Sequence, residues 1–169
     1  MKWVAIAGSW RRTNKEIEKD VRKTVNRIIV RGDGVISGGA LGVDYFALDE
    51  VMKLNPSCKR IKIFLPAKLD IVSKHFFQRA DEGVITKRQA EDLINQLKTL
   101  QKANPKALIE DKDAKVLNKT TYYKRILKII DNADQLVAFH VNKSKGTQYT
   151  IDKAKEKNIP VRVNFYNLN

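Results

Sequence analysis

Short apolar runs, each too brief for a helix, alternate along this chain with longer stretches of helical period, and that rhythm constrains the fold more than any other feature. "WVAIAG" (3 to 8) is rich in Val and Ile and stops at Gly8-Ser9, as a buried strand does. "NKEIEKDVRKTVNRIIVRG" then repeats apolar residues at Ile17, Val21, Val25, Ile28 and Ile29, with Asn14 placed for an N-cap and Gly32 for a C-terminal stop. "GVIS" supplies a second strand, and "VDYFALDEVMKL" a second helix with Val43, Phe46, Ala47, Val51 and Leu54 expected on one face. "RIKIFLP" is a third strand, closed by Pro66. Farther on, "TTYYKRILKIIDNA" reads as a helix, "DQLVAFHV" as a strand, "GTQYTIDKAKEKN" as a helix and "IPVRVNF" as a last strand. Parallel strands need crossover connections and these helices supply them, so the expected class is α/β: an open parallel sheet with helices on both faces.

Between Ala67 and Leu117 the rhythm breaks. No strand is evident there, but "IVSKHFFQRADEG" and "TKRQAEDLINQLKTLQKAN" are helical, the second with Thr86 and Gln89 at capping-box spacing. The expectation is one domain over 1–169 with a helical insertion at about 67–117. The apolar stripe Leu93, Ile94, Leu97 and Leu100 must be buried either on the parent domain or, through the 86–103 helix, on a second copy of the chain. No apolar run approaches the roughly 20 residues that cross a bilayer, and the start carries no signal-peptide pattern, so a cytoplasmic protein without membrane attachment is expected. Cys58 is the only cysteine and has no partner for a disulfide or a metal site. No metal is expected, and no cofactor is specified.

Charge narrows the partners. The chain has 33 Lys and Arg against 19 Asp and Glu, a formal net charge of +14. Such an excess favours polyanions, either nucleic acid or a phosphorylated small molecule. Yet in "KEIEKDVRK", "KRQAEDLINQLK" and "KAKEK" the lysines are interleaved with acids at helix-face spacing, the pattern of a solvated surface.

In an open parallel sheet ligands sit beyond the carboxyl ends of the strands, where loops lead into helix N-termini. Three glycine-containing turns are expected on that edge: "AGSWRR", "SGGALGVD" and "HVNKSKGTQ". Their exposed N–H groups suit phosphate, and Ser9, Ser37, Ser144 and Thr147 add hydroxyls. "GGALGVD" is not the dinucleotide fingerprint, because it follows the second strand and lacks the spaced acidic partner. It is not a Walker loop either, since it has no G-K-S/T.

"AIAGSW", "VISGGALGVDYFALDEV" and "ADQLVAFHVNKSKGTQYTIDKAKEKNIPV" together resemble the SLOG superfamily, the Rossmann-like group that joins the Smf/DprA DNA-processing proteins with the Lonely-guy phosphoribohydrolases. The "SGGA-GVD" and "KS-GT--TI" turns are most similar to those of small stand-alone YspA-like members. The resemblance implies a Rossmann-like fold and a nucleotide-type ligand. It implies contacts from Gly8 and Ser9 in the first turn, with Arg11 and Arg12 supplying a charge where Trp10 replaces arginine. It further implies Gly38, Gly39, Gly42 and Asp44 in the central motif, and Lys143, Ser144, Gly146 and Thr147 in the late one. Arg125 corresponds to a family phosphate contact. The Lonely-guy motif ends in a catalytic glutamate, and Thr150 stands in that place, so that reaction is not expected.

Asp44 is the one candidate catalytic residue, with His75 or His140 as a conceivable helper. "HFF" (75 to 77) and "TYY" (121 to 123) could stack on a base, but core packing is the better reading for Phe76 and Phe77. The expected function is binding of a nucleotide or nucleotide-derived ligand, as a sensor or binding module. Single-stranded DNA binding and a nucleotide hydrolase or transferase are the alternatives, and the distribution of positive charge separates the first two.

Overall fold

A computed structural model describes all 169 residues. Six strands form its sheet: β1 (Trp3–Gly8), β2 (Gly34–Gly38), β3 (Ile61–Leu65), β4 (Leu108–Glu110), β5 (Gln135–Val141) and β6 (Val161–Tyr166). The helices are α1 (Lys15–Val30), α2 (Val43–Leu54), α3 (Leu69–Asp81), α4 (Lys87–Ala103), α5 (Lys119–Asp131) and α6 (Lys145–Glu156). All strand pairs are parallel, in the order β4-β3-β2-β1-β5-β6. The chain builds outward from β1 to β4, then returns through α5 to start β5 on the other side of β1. That reversal opens a crevice above the carboxyl ends of β1 and β5.

The Rossmann-like α/β architecture expected from the sequence is therefore present. β1 shows how the two faces are divided: Val4 and Ile6 join the larger core, covered by α1 to α4, while Ala5 joins the smaller core under α5 and α6. Burying each Val, Leu or Ile side chain contributes about 1.5–3 kcal/mol, so both layers are held by their apolar stripes.

Local signals fix the helix ends. Asn14 Oδ1 accepts the Ile17 N–H, and at the other end Gly32, with φ of +88°, lets Asp33 N–H reach the Ile28 carbonyl and Gly32 N–H that of Ile29. Thr86 and Gln89 form the expected capping box. Asn118 and Thr121 form a second one, starting α5 earlier than its apolar pattern indicates.

Two sequence expectations are corrected, and one open alternative is decided. The segment 67–117 does hold a strand: β4 pairs with β3 at Ile63↔Leu108 and Leu65↔Glu110, but three residues are too few to show alternation. α3 and α4 are the crossover that delivers the chain from β3 to this edge strand. In α2 the buried face includes Leu48 while Leu54 is exposed, because the last turn runs past the sheet. Finally, Leu93, Ile94, Leu97 and Leu100 are all buried within this chain, so the stripe on the 86–103 helix leaves no apolar face for a second copy.

Candidate functional site

The crevice is a cavity of roughly 740 Å³ floored by the ends of β1 and β2. Gly8 closes β1, and a Cβ there would lie 2.6 Å from Val43 Cγ2 and 2.8 Å from the Phe139 carbonyl, so only glycine lets α2 and β5 approach this closely. The first turn is then held down: Val43 N–H donates to the Ser9 carbonyl at 3.0 Å, and Arg12 N–H to Ser9 Oγ at 2.9 Å. This presents Ser9, Arg11 and Arg12 to the cavity.

Gly38 closes β2. A Cβ on Gly38 would lie 2.6 Å from Arg125 Nη1 and 2.8 Å from Asp44 Oδ2, so a cation from α5 and a carboxylate from α2 converge above a bare backbone. Asp44 is buried in the first turn of α2; its Oδ1 lies 2.8 Å from Ser37 Oγ, and Oδ2 accepts the Ala40 N–H at 3.3 Å. Burial pushes the Asp44 carboxyl up to about 6, against the opposing pull of Arg125, Ser37 and the Ala40 amide. Arg125 lacks such hydrogen-bond partners. Its Nε is buried without a hydrogen-bond partner, and the ion pairs of α5 are made by Lys124 and Lys128, both with Asp111. The guanidinium is steered instead by the Tyr122 ring, 5.4 Å away.

The third side is the N-terminus of α6. Ser144 is its N-cap residue but makes no side-chain cap, and its Oγ is buried without a partner. A Cβ on Gly146 would meet nothing within 4 Å, so this glycine leaves open space at the helix end. The remaining wall comes from α3, where His75 Nε2 lies 3.2 Å from Tyr122 Oη across the gap to α5. Burial and then the Arg79 charge lower the His75 pKa.

Among the residues expected at the site, Gly8, Ser9, Arg11, Arg12 and Gly38 line the cavity together with Asp44, Arg125, Ser144, Gly146 and Thr147. Four others lie outside its lining. Ser37 is fully buried and bonds to Asp44 and the Ile6 carbonyl. Gly39 faces the core, where a Cβ would collide with Leu65 and come within 3.2 Å of Leu97. Gly42, with φ of +70°, abuts the Ser9 carbonyl and Trp10. Lys143 is exposed with φ of +53° in the turn before α6.

Sequence reasoning missed Arg79, Asn118 and Lys119, which also line the cavity. Their signal is indistinguishable from a solvated helix face until β4 places α5 and the crossover places α3. Phe76 is buried yet reaches the cavity, and Tyr123 stacks on Tyr149 at 4.0 Å. Neither histidine bonds to Asp44: His140 lies outside the lining and donates from Nε2 to the Ser144 carbonyl at 3.2 Å. Five cationic side chains, Arg11, Arg12, Arg79, Lys119 and Arg125, thus face the cavity against one carboxylate, Asp44. No three His, Cys, Asp or Glu side chains are grouped to share a metal ion, and no helix is long and apolar enough to cross a membrane.

No protein-family model and no curated protein matches this sequence. Solved structures do. DNA processing protein A from Helicobacter pylori, described for its single-stranded DNA binding mode, aligns with a TM-score of 0.68 and 18% identity over 96% of this chain and 64% of that one. DNA processing protein A from Streptococcus pneumoniae aligns with a TM-score of 0.65 and 16% identity over 96% of this chain and 50% of that one. The structural-genomics protein TM1055 aligns with a TM-score of 0.56 and 17% identity, covering 95% and 72% of the two chains. The shared property is the fold. This chain spans 64% and 50% of the lengths of the two DNA processing proteins.

Proposed function

We propose that this is a SLOG-type domain whose switch-point cavity binds the phosphate of a nucleoside phosphate. The observation that carries the reading is Arg125. A half-buried guanidinium has five N–H donors to satisfy, and here Nε is buried without a partner beside a bare glycine backbone. The uncapped N-terminus of α6, with the Ser144 hydroxyl unspent, offers the same ligand a second set of donors. The cavity is far larger than a phosphate needs, leaving room for a sugar and base between α3 and α5. Placement within the superfamily, including the YspA-like subgroup, rests on the "SGGA-GVD" and "KS-GT--TI" turns.

The test is calorimetric titration with nucleoside 5′-monophosphates and inorganic phosphate. Arg125→Ala is expected to weaken phosphate-bearing ligands about 10- to 100-fold, the range of hydrogen bonds between charged groups, while Lys87→Ala on the far helix changes nothing. Equal affinity of wild type and Arg125→Ala would sink the reading.

A second reading is favoured by the five cavity cations together with the net charge of +14: the cavity takes the backbone of single-stranded DNA, the ligand class named for the Helicobacter pylori protein. Binding of oligonucleotides but not mononucleotides, fading steeply with salt, would favour it.

A further inference from the structure

We propose that His75 is a positioning residue for Arg125, acting through Tyr122, so that the α3 wall and the central cation of the cavity are held as one unit. This rests on the reading of the cavity as a phosphate site and adds to it what keeps the cation in place.

Arg125 needs such a guide. An arginine side chain has several rotatable bonds and loses much freedom when held in one geometry. In α5 the ion pairs belong to Lys124 and Lys128, and Arg125 Nε has no partner. Asp44 acts on Arg125 by charge, which attracts the guanidinium without orienting its plane. The Tyr122 ring lies under the guanidinium, 5.4 Å from Cζ to its centre and three residues back on the same face of α5.

Tyr122 is in turn held from across the cavity. Its Oη lies 3.2 Å from Nε2 of His75 on α3, and the two rings meet edge to face with centres 6.4 Å apart. The protonation states suit this bond. Burial raises the Tyr122 pKa against the pull of Arg125 and Arg79, so the hydroxyl keeps its proton. Burial and then Arg79 lower that of His75 against Glu82, so the imidazole stays neutral. With its ring proton on Nδ1, His75 accepts the Tyr122 O–H at Nε2.

His75 has a firm base. Its neighbour Phe76 is buried and meets the His75 ring with centres 5.4 Å apart. The start of α3 is tied to β4, where Leu69 N–H donates to Glu110 Oε2 at 2.7 Å. No other hydrogen bond or ion pair joins α3 to α5. One turn beyond His75, α3 also carries Arg79 to the cavity. The single bridge therefore sets both the plane of Arg125 and the spacing between the cations of two facing helices.

The experiment measures inorganic phosphate binding by calorimetry and the Arg125 Nε–H resonance by NMR, the latter assigned by its absence from Arg125→Ala. His75→Leu and Tyr122→Phe break the same bond, so each is expected to weaken phosphate about 3- to 10-fold, and the double variant no more than either alone. His75→Gln places an amide oxygen within reach of the Tyr122 hydroxyl and should recover most of the affinity. A role in packing alone predicts the reverse, since Leu fills the space as well as Gln does. In the ligand-free protein the Nε–H signal should be shifted by the Tyr122 ring current in wild type and His75→Gln. In His75→Leu and Tyr122→Phe it should broaden and move toward the position of free arginine. If His75→Leu does not fold, Tyr122→Phe makes the same test with a smaller change. Unaltered phosphate affinity, or an unmoved Nε–H signal, in both variants overturns the proposal, while weakened binding by Arg125→Ala leaves the phosphate reading standing. Additive losses overturn it too, because the two residues then act separately. If wild type binds no phosphate, the reading of the cavity falls and the Arg125 signal alone decides the link to α3.

Discussion

Ser37 Oγ has one proton and two neighbours that could take it, the Ile6 carbonyl at 3.0 Å and Asp44 Oδ1 at 2.8 Å. With Asp44 ionised the hydroxyl serves the carboxylate and leaves the carbonyl. With Asp44 protonated a relay forms, in which Asp44 donates to Ser37 and Ser37 to Ile6. The pKa is raised to about 6 chiefly by burial, and the groups acting against it are Arg125 from α5, Ser37 from β2 and the Ala40 amide. An acid whose folded pKa lies above its unfolded value favours the folded state at low pH, and the advantage is lost as pH rises through the folded pKa. Wild-type stability should therefore fall between pH 4 and pH 7 relative to Asp44→Asn, by on the order of 1–3 kcal/mol. Urea denaturation of both proteins across that window checks this, and parallel profiles would show that Asp44 ionises freely. Gly39 teaches a different lesson at the same scale. It shares a motif with Gly38, but adjacent strand-end residues point to opposite sides, and Gly39 meets Leu65 and Leu97 rather than the cavity. Only the direction of the chain decides which glycine faces a ligand, and a motif string does not carry that.

At the scale of elements, the site depends on α5, and α5 is pinned from an unexpected place. Asp111, just beyond β4, takes Lys124 and Lys128 at 3.2 Å each. Burial would raise its pKa, but Lys124, the Asp113 amide and Lys128 together hold it down to about 2. A depressed carboxylate contributes stability above its unfolded pKa and loses it as pH falls through the folded value, so the contribution is present at neutral pH and gone below about pH 2. Asp111→Asn should cost about 1–3 kcal/mol at pH 7 in urea denaturation, the difference shrinking toward pH 2. It should also weaken phosphate binding without touching any lining side chain, because Arg125 rides on the same helix. The elements also mark how far the sequence was legible. Apolar periodicity and the caps at Asn14 and Thr86 revealed the helices on which they act, and the glycine turns located the edge of the sheet that carries the cavity. β4 was not legible because three residues carry no period. The α3 and α5 walls of the cavity followed it into obscurity, since a Lys or Arg on a helix looks solvated until the strand order brings another helix opposite.

For the whole molecule, the net charge of +14 is less informative than how it is distributed. On the outer helix faces some cations sit beside acids, as with Lys53 and Asp49, Lys87 and Glu91, Arg88 and Asp92, and Lys153 and Glu156. Such exposed pairs contribute little to stability and cancel only locally. In the cavity five cations face one carboxylate inside low-dielectric walls, which strengthens the positive potential at the carboxyl edge of the sheet. This distribution predicts how any nucleic acid would bind. If a single strand enters the cavity, Arg11 and Arg12 at its rim each neutralise about one phosphate, and replacing both by alanine should reduce the slope of log affinity against log salt by about 1.4. Replacing Lys87 and Arg88 should leave that slope unchanged, because they lie on a helix that does not line the cavity. A fluorescence-anisotropy titration of a short single strand at several salt concentrations reads both slopes. Equal losses from the two double variants would mean that the strand is held by diffuse surface charge and that the cavity takes no part in holding it.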